Sequence, residues 1–553
     1  MLLGLDVGGT FTDCVAVDGG KIHSMVKTPT TPENLLDCIL HAVDTVMAET
    51  GNRKFERISL STTMVTNAIV EGNIDRVGLC VMPGPGMNIE EALPSAPFVL
   101  SGYVDHRGRE MVPTKAEEVA EACRHFSSCD VFAVSGKFAV RNPCAELAVG
   151  ERIRKETAPG HVSFGGKLSG SLNFLRRTNS AYFNGAVWRQ FNRFAAAIEE
   201  ALRVRGVQGP VSILKADGGT LPLAVARECP VEAIFTGPAA STMGIMGMNA
   251  TGFSGVSLDI GGTTTDIALW QEGRPLFAKG GATVNGYATG VRGFRLTSVG
   301  IGGDSLVFWD RDELKVGPKR CGPAMAAGGT RPTVTDAMIA AGLIDFGRYD
   351  AALRAMKELG KGDACPQEMA AAILDKAVET ICHAIGKVVE EQAREPLYRV
   401  EDMVHGAGFM LDTVLGVGGG AAGLVPLVAK KIQVPYVLLA NGMVANAFGA
   451  AVSRPTLGLT LRADTAEGCY TVAELGLKQK LPSRTFSLHD ACQLAEVHLR
   501  ELAGLNGVLL DETEVVYGEE FNMIRGFRTI GKMITCSVQV KPGILRQRGK
   551  NFA

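Results

Sequence analysis

The sequence predicts an α/β protein with two related halves and a smaller α+β extension at its C-terminal end. Strand-like apolar segments alternate with helix-like segments over most of the chain, which is typical of the α/β class. The stretch LDVGGTFTD at residues 5–13 returns as LDIGGTTTD at residues 258–266, which indicates an internal duplication. Beyond residue 455 the pattern changes to a helix-like segment, SLHDACQLAEVHLRELAG, and a strand-like one, KMITCSVQVKPG.

The first half begins with three short apolar segments, MLLGLDV, DCVAVDG and KIHSMVK. Gly-rich or Asp-Gly breaks separate them, so they predict an antiparallel meander of three strands. Residues 31–50 have apolar side chains at three- and four-residue steps and predict a helix. RISLSTT, MVTNAIVEG and RVGLCVM then predict strand, helix and strand, and residues 179–202 predict a long helix. We expect the first half to occupy residues 1–205.

The second half repeats this beginning, with GVSLDIGG, TDIALWQEG and RPLFAKGG as its three strands. An offset of 253 residues aligns seven of the nine motif positions as identities and also places Gly20 on Gly273. The duplication predicts two structurally related halves that face each other, with the second at residues 206–455. Residues 456–553 form the predicted extension, which has no recognisable ligand motif.

Composition restricts the partners and the compartment. With 56 Lys+Arg against 58 Asp+Glu, the chain lacks the basic excess of nucleic-acid-binding proteins. The 13 cysteines contain no C-x-x-C pair, and only His125 lies between the closest two, Cys123 and Cys129. Reduced structural thiols are therefore favoured over disulfides, a zinc site or an iron–sulfur cluster. No apolar run approaches a membrane span, and the start has no signal-type pattern, so we expect a soluble cytoplasmic protein without membrane partners.

The repeated turn has the composition of a phosphate site. Paired glycines let backbone N–H groups approach an anion, and threonine hydroxyls add donors. Asp6 and Asp259 repel phosphate directly but can hold Mg²⁺ or its water shell between two facing turns. A plain hairpin turn is the alternative for one copy, whereas two matching copies favour phosphate. The phosphate-binding candidates are Gly8, Gly9, Thr10, Thr12, Gly261, Gly262, Thr263, Thr264 and Thr265.

Three single-copy segments add further candidates. Residues 415–435, LGVGGGAAGLVPLVAKKIQVP, predict a strand, a glycine turn and a helix starting near Ala421. The glycine turn can pass close to an adenosine. The alternative role for these glycines is packing of the helix on the strand. NGMVANAFGAAVSRP predicts a helix of small residues that can lie close to another backbone. In SVGIGGDSLV, Asp304 is either catalytic or only caps the turn. The added cofactor candidates are Gly302, Gly303, Gly418, Gly419, Gly420 and Asn446, and the catalytic candidates are Asp6, Asp13, Asp259 and Asp304.

In this order, the motifs resemble the hydantoinase/oxoprolinase family, in its ATP-binding A-type subunit. The resemblance covers about residues 1–455 and includes STTMVTNAIVEG, LRRTNSAYFN, FTGPAAS, both Asp-Gly-Gly-Thr turns, VGIGGDS, GGTRPTVTDA and GVGGGAAGLVP. It implies duplicated ribonuclease-H-like domains, as in actin, sugar kinases and heat-shock chaperone ATPases, that face each other across a nucleotide cleft.

The resemblance also implies an activity, namely Mg-ATP-dependent phosphorylation of an amide or carbonyl oxygen in a small, cyclic-amide-like substrate. The repeated turns then hold phosphates and Mg²⁺, and the late glycine turn holds adenosine. Thr62, Thr63 and Asn67 lie on the substrate side; from the residues alone, helix capping is preferred for this segment. Ring-opening members commonly need a B-type subunit, so we expect a homo- or hetero-oligomer with such a partner or a different activity.

Two motifs depart from the family. The segment that usually reads His-Gly-Thr-Thr is LSTT here, with Ser61 and no histidine, and the turn that commonly reads Gly-Gly-Gly-Ser has Asp304 after Gly303. These changes affect the substrate more than the ATP site. A small-molecule kinase, a carboxylase ATP subunit and a nucleotide-driven switch or activator protein are the alternatives.

Overall fold

The computed structural model describes most of the chain. Among the described residues, no helix is both long and apolar enough to cross a membrane. The described residues are 1–30, 35–87, 89, 92–248, 252–360, 365–394, 409–483, 485–508, 510 and 512–545.

Six strands form the first sheet: β1 (Leu2–Val7), β2 (Phe11–Asp18), β3 (Lys21–Pro29), β4 (Arg57–Thr62), β11 (Val211–Leu214) and β12 (Thr220–Pro222). Their order is β12-β11-β4-β1-β2-β3. β1 to β3 form the predicted antiparallel meander, while β4 pairs in parallel with both β1 and β11. All six residues of β1 are buried, as expected for a central strand covered on both faces.

Helices connect and cover these strands. The long helix α6 begins where the side chain of Asn173 accepts a hydrogen bond from the N–H of Arg176, which caps the helix. The predicted helix at 31–50 is present as α1, although residues 31–34 lie outside the described residues. The helices are α1 (Leu35–Thr50), α2 (Met64–Val70), α6 (Phe174–Val204), α7 (Leu223–Ala226) and α8 (Thr236–Gly247).

A smaller layer is inserted between α2 and α6. Its four-stranded parallel sheet has the order β10-β9-β5-β6 and is flanked by three helices and a short hairpin. The elements are β5 (Val77–Met82), β6 (Phe98–Val99), β7 (Tyr103–Val104), β8 (Glu110–Val112), α3 (Ala116–His125), β9 (Val131–Gly136), α4 (Cys144–Thr157), β10 (His161–Phe164) and α5 (Gly165–Leu168).

The second sheet repeats the design of the first. Its strands are β13 (Gly255–Ile260), β14 (Thr265–Gln271), β15 (Arg274–Pro275), β18 (Leu296–Val299), β21 (Thr413–Val417) and β22 (Tyr436–Leu438). The order is β15-β14-β13-β21-β22, with β18 also paired to β14. Asp6 faces Asp13 across β1 and β2, and Asp259 faces Asp266 across β13 and β14 in the same register. The predicted α/β duplication is therefore confirmed.

The third strand of the second half differs from its counterpart. β15 has only two residues, and β18 takes the place beside β14 that β3 holds beside β2. The remaining elements of this half surround the sheet. They are β16 (Thr283–Val284), β17 (Tyr287–Ala288), β19 (Ser305–Asp310), β20 (Glu313–Arg320), α9 (Val334–Ala340), α10 (Tyr349–Leu359), α11 (Pro366–Ala393), α12 (Ala421–Ile432) and α13 (Ala445–Val452).

The C-terminal extension is α+β, as predicted. It has a five-stranded antiparallel sheet of order β25-β24-β23-β27-β26, on which one helix packs. Arg462 in this sheet donates to the carbonyl oxygen of Gly170, which anchors the extension to the first half. The elements are β23 (Gly458–Asp464), β24 (Cys469–Val472), β25 (Leu477–Lys480), α14 (Leu488–Leu505), β26 (Thr513–Arg525) and β27 (Arg528–Val540).

Two helices of small residues join the halves. A Cβ on Gly244 of α8 would lie 2.1 Å from the carbonyl oxygen of Ala445, and one on Gly449 of α13 would lie 2.0 Å from that of Ala240. The predicted close approach of the small-residue helix to another backbone is thus present, and its neighbour is α8. The first sheet extends through β12, beyond residue 205, and the domain limits at residues 205 and 455 stay predictions.

Candidate functional site

The two Asp-Gly-Gly-Thr turns meet at the interface of the halves. The N–H of Gly8 donates to the carbonyl oxygen three residues later at 3.0 Å, and the N–H of Gly261 closes the second turn in the same way at 3.0 Å. The hydroxyl oxygens of Thr10 and Thr263 lie 3.5 Å apart, and these residues are separated by the repeat offset of 253. A residue that contacts its own repeat counterpart lies beside the pseudo-two-fold axis. The axis therefore passes between the two turns.

Each turn offers backbone donors at this axis. Within the described part of the chain, the N–H groups of Gly9, Thr10, Gly262 and Thr263 have no acceptor. A Cβ on Gly9 would meet no atom within 4 Å, so the space above this turn is open. Four unpartnered N–H groups from two facing turns form a cradle suited to an anion such as phosphate.

Not every predicted threonine faces this cradle. The Thr12 hydroxyl lies 2.9 Å from that of Thr30, and the Thr265 hydroxyl donates to the carbonyl oxygen of Ile301 at 2.7 Å. Both side chains are fully buried and hydrogen-bonded at the ends of the turns, and their cofactor-binding role stays a prediction. Thr264 contributes its carbonyl oxygen to turn closure, and its side chain is half-buried.

Carboxylates crowd behind the turns. Asp6 is 8% exposed, and in the described part of the chain its Oδ1 atom has no hydrogen-bond partner. Burial, with the charges of Asp13 and Asp259, raises the pKa of Asp6 to about 7. Burial also raises the pKa of Asp259. Asp13 is held by Lys27, whose Nζ lies 2.7 and 2.8 Å from its two oxygens, although burial still raises the pKa of Asp13.

Asp266 joins this cluster, and the sequence analysis did not select it. Burial and the charges of Asp259 and Asp6 raise its pKa to about 7, against a hydrogen bond from Ser298. The repeat itself contained the signal, because Asp266 ends the second motif as Asp13 ends the first.

The carboxylates fit a divalent cation, with Asp6 and Asp259 as its candidate ligands. Like charges gathered in a buried site are stabilised by a cation between them. Among the described residues, no group of three or more His, Cys, Asp or Glu side chains is arranged to hold a metal by itself. A Mg²⁺ here would therefore take most ligands from water and phosphate, its usual coordination beside nucleotides.

The third glycine turn supports the second Asp-Gly-Gly-Thr turn. The N–H of Gly303 donates to the carbonyl oxygen of Gly261 at 2.9 Å, and the N–H of Asp304 donates to that of Gly262 at 2.6 Å. The N–H of Gly302 is also occupied, by a serine hydroxyl at 2.8 Å. These N–H groups are therefore occupied within the protein, and the cofactor-binding role of Gly302 and Gly303 stays a prediction.

The Asp304 side chain nevertheless lies at the phosphate turn. Its Oδ2 is 3.0 Å from the position that a Cβ on Gly262 would take. Arg320 donates from Nε to the same oxygen at 3.2 Å. Burial raises the pKa of Asp304 against the opposing effect of Arg320. Asp304 thus caps the turn through its N–H and forms an ion pair beside it; a catalytic role stays a prediction.

The late glycine turn wraps around Asp259. Gly418 has a φ of +89°, and a Cβ there would lie 2.5 Å from Asp259 Oδ1, so both backbone and space require glycine. Gly420 donates its N–H to the carbonyl oxygen of Ile260 at 2.9 Å, and α12 starts directly afterwards. A Cβ on Gly419 would meet no atom within 4 Å, which leaves room for a ligand.

Asn446 reaches the same carboxylate. Asn446 and Ser241 both lower the pKa of Asp259 and partly offset its burial. The Ser241 hydroxyl itself donates to the carbonyl oxygen of Pro238 at 3.1 Å. Ser241 was not predicted from the sequence. It occupies in α8 the position that Asn446 occupies in α13, because the reciprocal helix contacts pair Ala240 with Gly449 and Ala445 with Gly244.

Comparison with known proteins gives the family. The profile "Hydantoinase/oxoprolinase N-terminal region" matches residues 2–157, and "Hydantoinase/oxoprolinase" matches residues 177–457. The chain belongs to the hydantoinase/oxoprolinase family.

Two curated members of this family illustrate the range of relatives. Caprolactamase subunit alpha of Pseudomonas jessenii is 28% identical over 62% of this chain and 55% of that protein. The acetophenone carboxylase gamma subunit of Aromatoleum aromaticum is 26% identical over 78% of this chain and 65% of that protein. The chain thus spans roughly half to two thirds of these relatives. The crystal structure of ATP-dependent caprolactamase from P. jessenii has a TM-score of 0.70 at 22% identity, covering 99% of this chain and 88% of that one, which confirms the fold.

In this hydantoinase/oxoprolinase family member, the STTMVTNA segment packs against the start of α8. The Thr62 N–H donates to the Thr236 hydroxyl, which in turn donates to the Thr62 carbonyl oxygen at 2.6 Å. The Thr62 hydroxyl accepts from the second N–H after it at 3.2 Å, and the residue is 1% exposed, so its role is to anchor α2. Thr63 is half-buried and Asn67 exposed, with Asn67 Nδ2 3.4 Å from Thr63 Oγ1. These two remain accessible to a substrate.

A cavity of about 410 Å³ lies between the halves, next to this segment. Its lining includes Phe235 and Pro238 at the start of α8, together with Asp266 and Ser298. In the first half, Lys27 stands opposite Asp13, whereas Ser298 stands opposite Asp266. The shorter Ser298 side chain and the segment between β15 and β18 leave space for the cavity beside Asp266.

Proposed function

We propose that this chain is an ATP-dependent hydrolase subunit that phosphorylates an amide or carbonyl oxygen of a small, cyclic-amide substrate. The observation that carries the proposal is the pair of symmetric turns, whose four unpartnered N–H groups adjoin a buried carboxylate with one unpartnered oxygen. This combination suits a polyphosphate with its cation. The name of the relative ATP-dependent caprolactamase supports both the nucleotide and the cyclic amide.

The residues at the axis would hold the phosphates. The N–H groups of Gly9 and Thr10 bind from one half and those of Gly262 and Thr263 from the other. Asp6 and Asp259 would hold Mg²⁺ behind the phosphates and thereby lose the mutual repulsion that raises the pKa of Asp6. When bound, Mg-ATP supplies the phosphoryl group that activates an amide carbonyl towards water.

The adenosine would lie at the late glycine turn. The open space at Gly419 and the start of α12 beside Asp259 support this assignment. Asn446 would keep the Asp259 carboxylate oriented towards the metal, since it hydrogen-bonds that side chain.

The substrate would occupy the cavity beside Asp266, with Thr63 and Asn67 near its edge. A Cβ on Gly237, at the start of α8, would lie 3.4 Å from Thr63 Cγ2, which connects the predicted substrate segment to the cavity wall that Pro238 forms. Positioning the amide oxygen against the phosphate turns is the main task of such a site, because phosphoryl transfer depends chiefly on alignment and charge neutralisation.

A second candidate function is that of a carboxylase ATP subunit, favoured by the acetophenone carboxylase gamma subunit, which matches 78% of this chain. The names of both relatives are subunit names, so we propose a partner chain as well. A B-type hydantoinase subunit is the expected partner for cyclic-amide hydrolysis.

The test measures ADP, free phosphate and ring-opened product with hydantoin, 5-oxoproline, 2-pyrrolidinone and caprolactam, each with Mg-ATP. ADP and phosphate in equal amounts with an opened ring support hydrolysis, a stable phosphorylated product supports a kinase, and turnover that requires bicarbonate and a ketone supports a carboxylase. Asp259→Asn should abolish nucleotide turnover, while Asp18→Asn, on a 54% exposed side chain, should retain it. Absence of Mg-ATP binding by the parent protein would refute the proposal.

A further inference from the structure

The cavity beside Asp266 is lined by more cationic than acidic side chains. Arg176, Lys279 and Arg295 contribute positive charge, against Asp266 and Glu391. Arg295 forms an ion pair with Glu391 at 3.5 Å on one wall. The cavity therefore favours a ligand with a negative group, provided that the group stays away from Asp266.

Arg176 is fixed in this cavity by one edge of its guanidinium group. It projects from α6 in the first half, yet its Nη1 atom donates to carbonyl oxygens of the second half. These belong to Gly280 at 2.6 Å, Thr289 at 3.3 Å and Gly281 at 3.4 Å. The clamp removes most of the rotational freedom that an arginine normally loses on binding a ligand.

The other edge of the same guanidinium is unused. Among the described residues, neither Nε nor Nη2 of Arg176 has a hydrogen-bond partner. Nε and Nη2 together present two parallel N–H groups, the geometry that binds both oxygens of a carboxylate. The neighbouring Arg177 differs, since it is fully buried and donates from both Nη atoms to main-chain carbonyl oxygens of the first half.

We propose that Arg176 binds a carboxylate of the substrate, so that the preferred substrate is a cyclic amide or related carbonyl compound bearing an acidic group. The ring chemistry rests on the proposed function, whereas the anion site rests on the cavity and the free edge of Arg176. Asp266, which also lines the cavity, repels the carboxylate and thereby sets the orientation. The amide end then faces Asp266 and the phosphate turns, and the acidic end faces Arg176.

The test compares ligand pairs that differ in one carboxylate. L-5-oxoproline is paired with 2-pyrrolidinone, and hydantoin-5-acetate with 5-methylhydantoin, by isothermal titration with and without Mg-ADP. We expect each acid to bind at least about tenfold more tightly than its neutral partner, as a charge-assisted bidentate pair provides. Arg176→Gln should remove about tenfold or more of the acid's affinity and thus abolish the discrimination.

Two further variants separate binding from folding. Arg193→Gln makes the same substitution at an exposed position of the same helix and should keep the discrimination. Arg176→Lys keeps the charge but not the paired donors, so it should give an intermediate ratio even if Arg176→Gln does not fold.

Equal affinities for acid and neutral ligands in the parent protein would overturn the proposal. So would the absence of binding by every probe, or a loss in Arg176→Lys that affects both members of each pair equally. Because the titration requires no turnover, acid-selective binding without any ATP hydrolysis would sustain the anion site and refute the hydrolase assignment.

Discussion

Asp6→Asn tests whether the carboxylates behind the two glycine turns bind a cation. Asparagine has the same shape as the protonated acid but no charge. Asp6 holds its proton more tightly in the folded chain, since its pKa rises from an ordinary value of 3.8 to about 7. The stability that protonated Asp6 contributes is therefore fully present below about pH 4 and is lost as the pH rises to 7.

The size of the loss follows from the same values. A difference of about three pH units corresponds to about 4 kcal/mol in the free energy of unfolding. Without metal, Asp6→Asn should thus be more stable than the parent protein by up to about 4 kcal/mol at pH 8, and the two should converge towards pH 4. Mg-ATP should reverse the order by stabilising only the parent, by about 2.7 kcal/mol at a hundredfold excess over Kd.

The assay is urea unfolding between pH 5 and 8.5, once with EDTA and once with Mg-ATP. Asp18→Asn on the same strand pair is the control, because its side chain is 54% exposed and its ion pair with the N-terminal amino group, at 3.8 Å, is a surface pair worth at most about 1 kcal/mol, so its substitution should change neither series by more than that. A parent-to-variant difference that stays constant across this pH range would refute the inferred charge burial. Equal stabilisation of both proteins by Mg-ATP would refute the metal role of Asp6.

Three further predictions concern Gly418 beside Asp259, Gly449 between α8 and α13, and Glu474 in the C-terminal extension. Gly418→Ala should weaken Mg-ADP binding at least about tenfold, because its methyl group would lie 2.5 Å from the Asp259 carboxylate. Gly468→Ala is the control, because that glycine also has a positive φ but has open space around it. The control should cost only about 1 kcal/mol of stability, measured by thermal shift. Gly449→Ala should separate α8 from α13 and lower the free energy of unfolding by about 3 kcal/mol or more in urea, whereas unchanged stability would contradict the close contact. Glu474→Gln should stabilise the protein above pH 7 and not below pH 5, since burial raises the pKa of Glu474 to about 7; a pH-independent effect would contradict this.

The repeat in the sequence predicted more than the fold class. Two matching turns implied a pseudo-two-fold arrangement, and the contact between Thr10 and Thr263 lies where that symmetry requires it. The same repeat could have supplied Asp266 as the counterpart of Asp13. It could also have separated inner from outer threonines, because side chains alternate along a strand and Thr12 is on the buried face.

Other parts of the site depend on contacts between distant segments. Ser241 belongs to a helix pair that shares only an alanine and a glycine four residues apart (Ala240 and Gly244, Ala445 and Gly449), so the equivalence with Asn446 is recognised only from the packing of α8 on α13. The occupied N–H groups of Gly302 and Gly303 likewise result from docking on the second turn. The role of Arg176 requires the loop at residues 280–289 to fold against α6, more than a hundred residues away. No local pattern contains that information.

Under the proposed function, the duplication would let one design serve two ligands. The register places Ser61 beside Asp6 and Val417 beside Asp259, so the threonines after Ser61 and the glycines after Val417 occupy equivalent positions. Glycines at one of these positions leave open space at Gly419, where the proposed nucleoside would lie. Threonines anchored to α8 fill the other, and Ser298 in place of a lysine opens the adjacent cavity. The residues that are repeated in the two turns would bind the phosphates of the nucleotide, where the two reactants meet. The asymmetric residues determine which molecule lies on each side, and for this reason the departures from family motifs at Ser61 and Asp304 bear on the substrate.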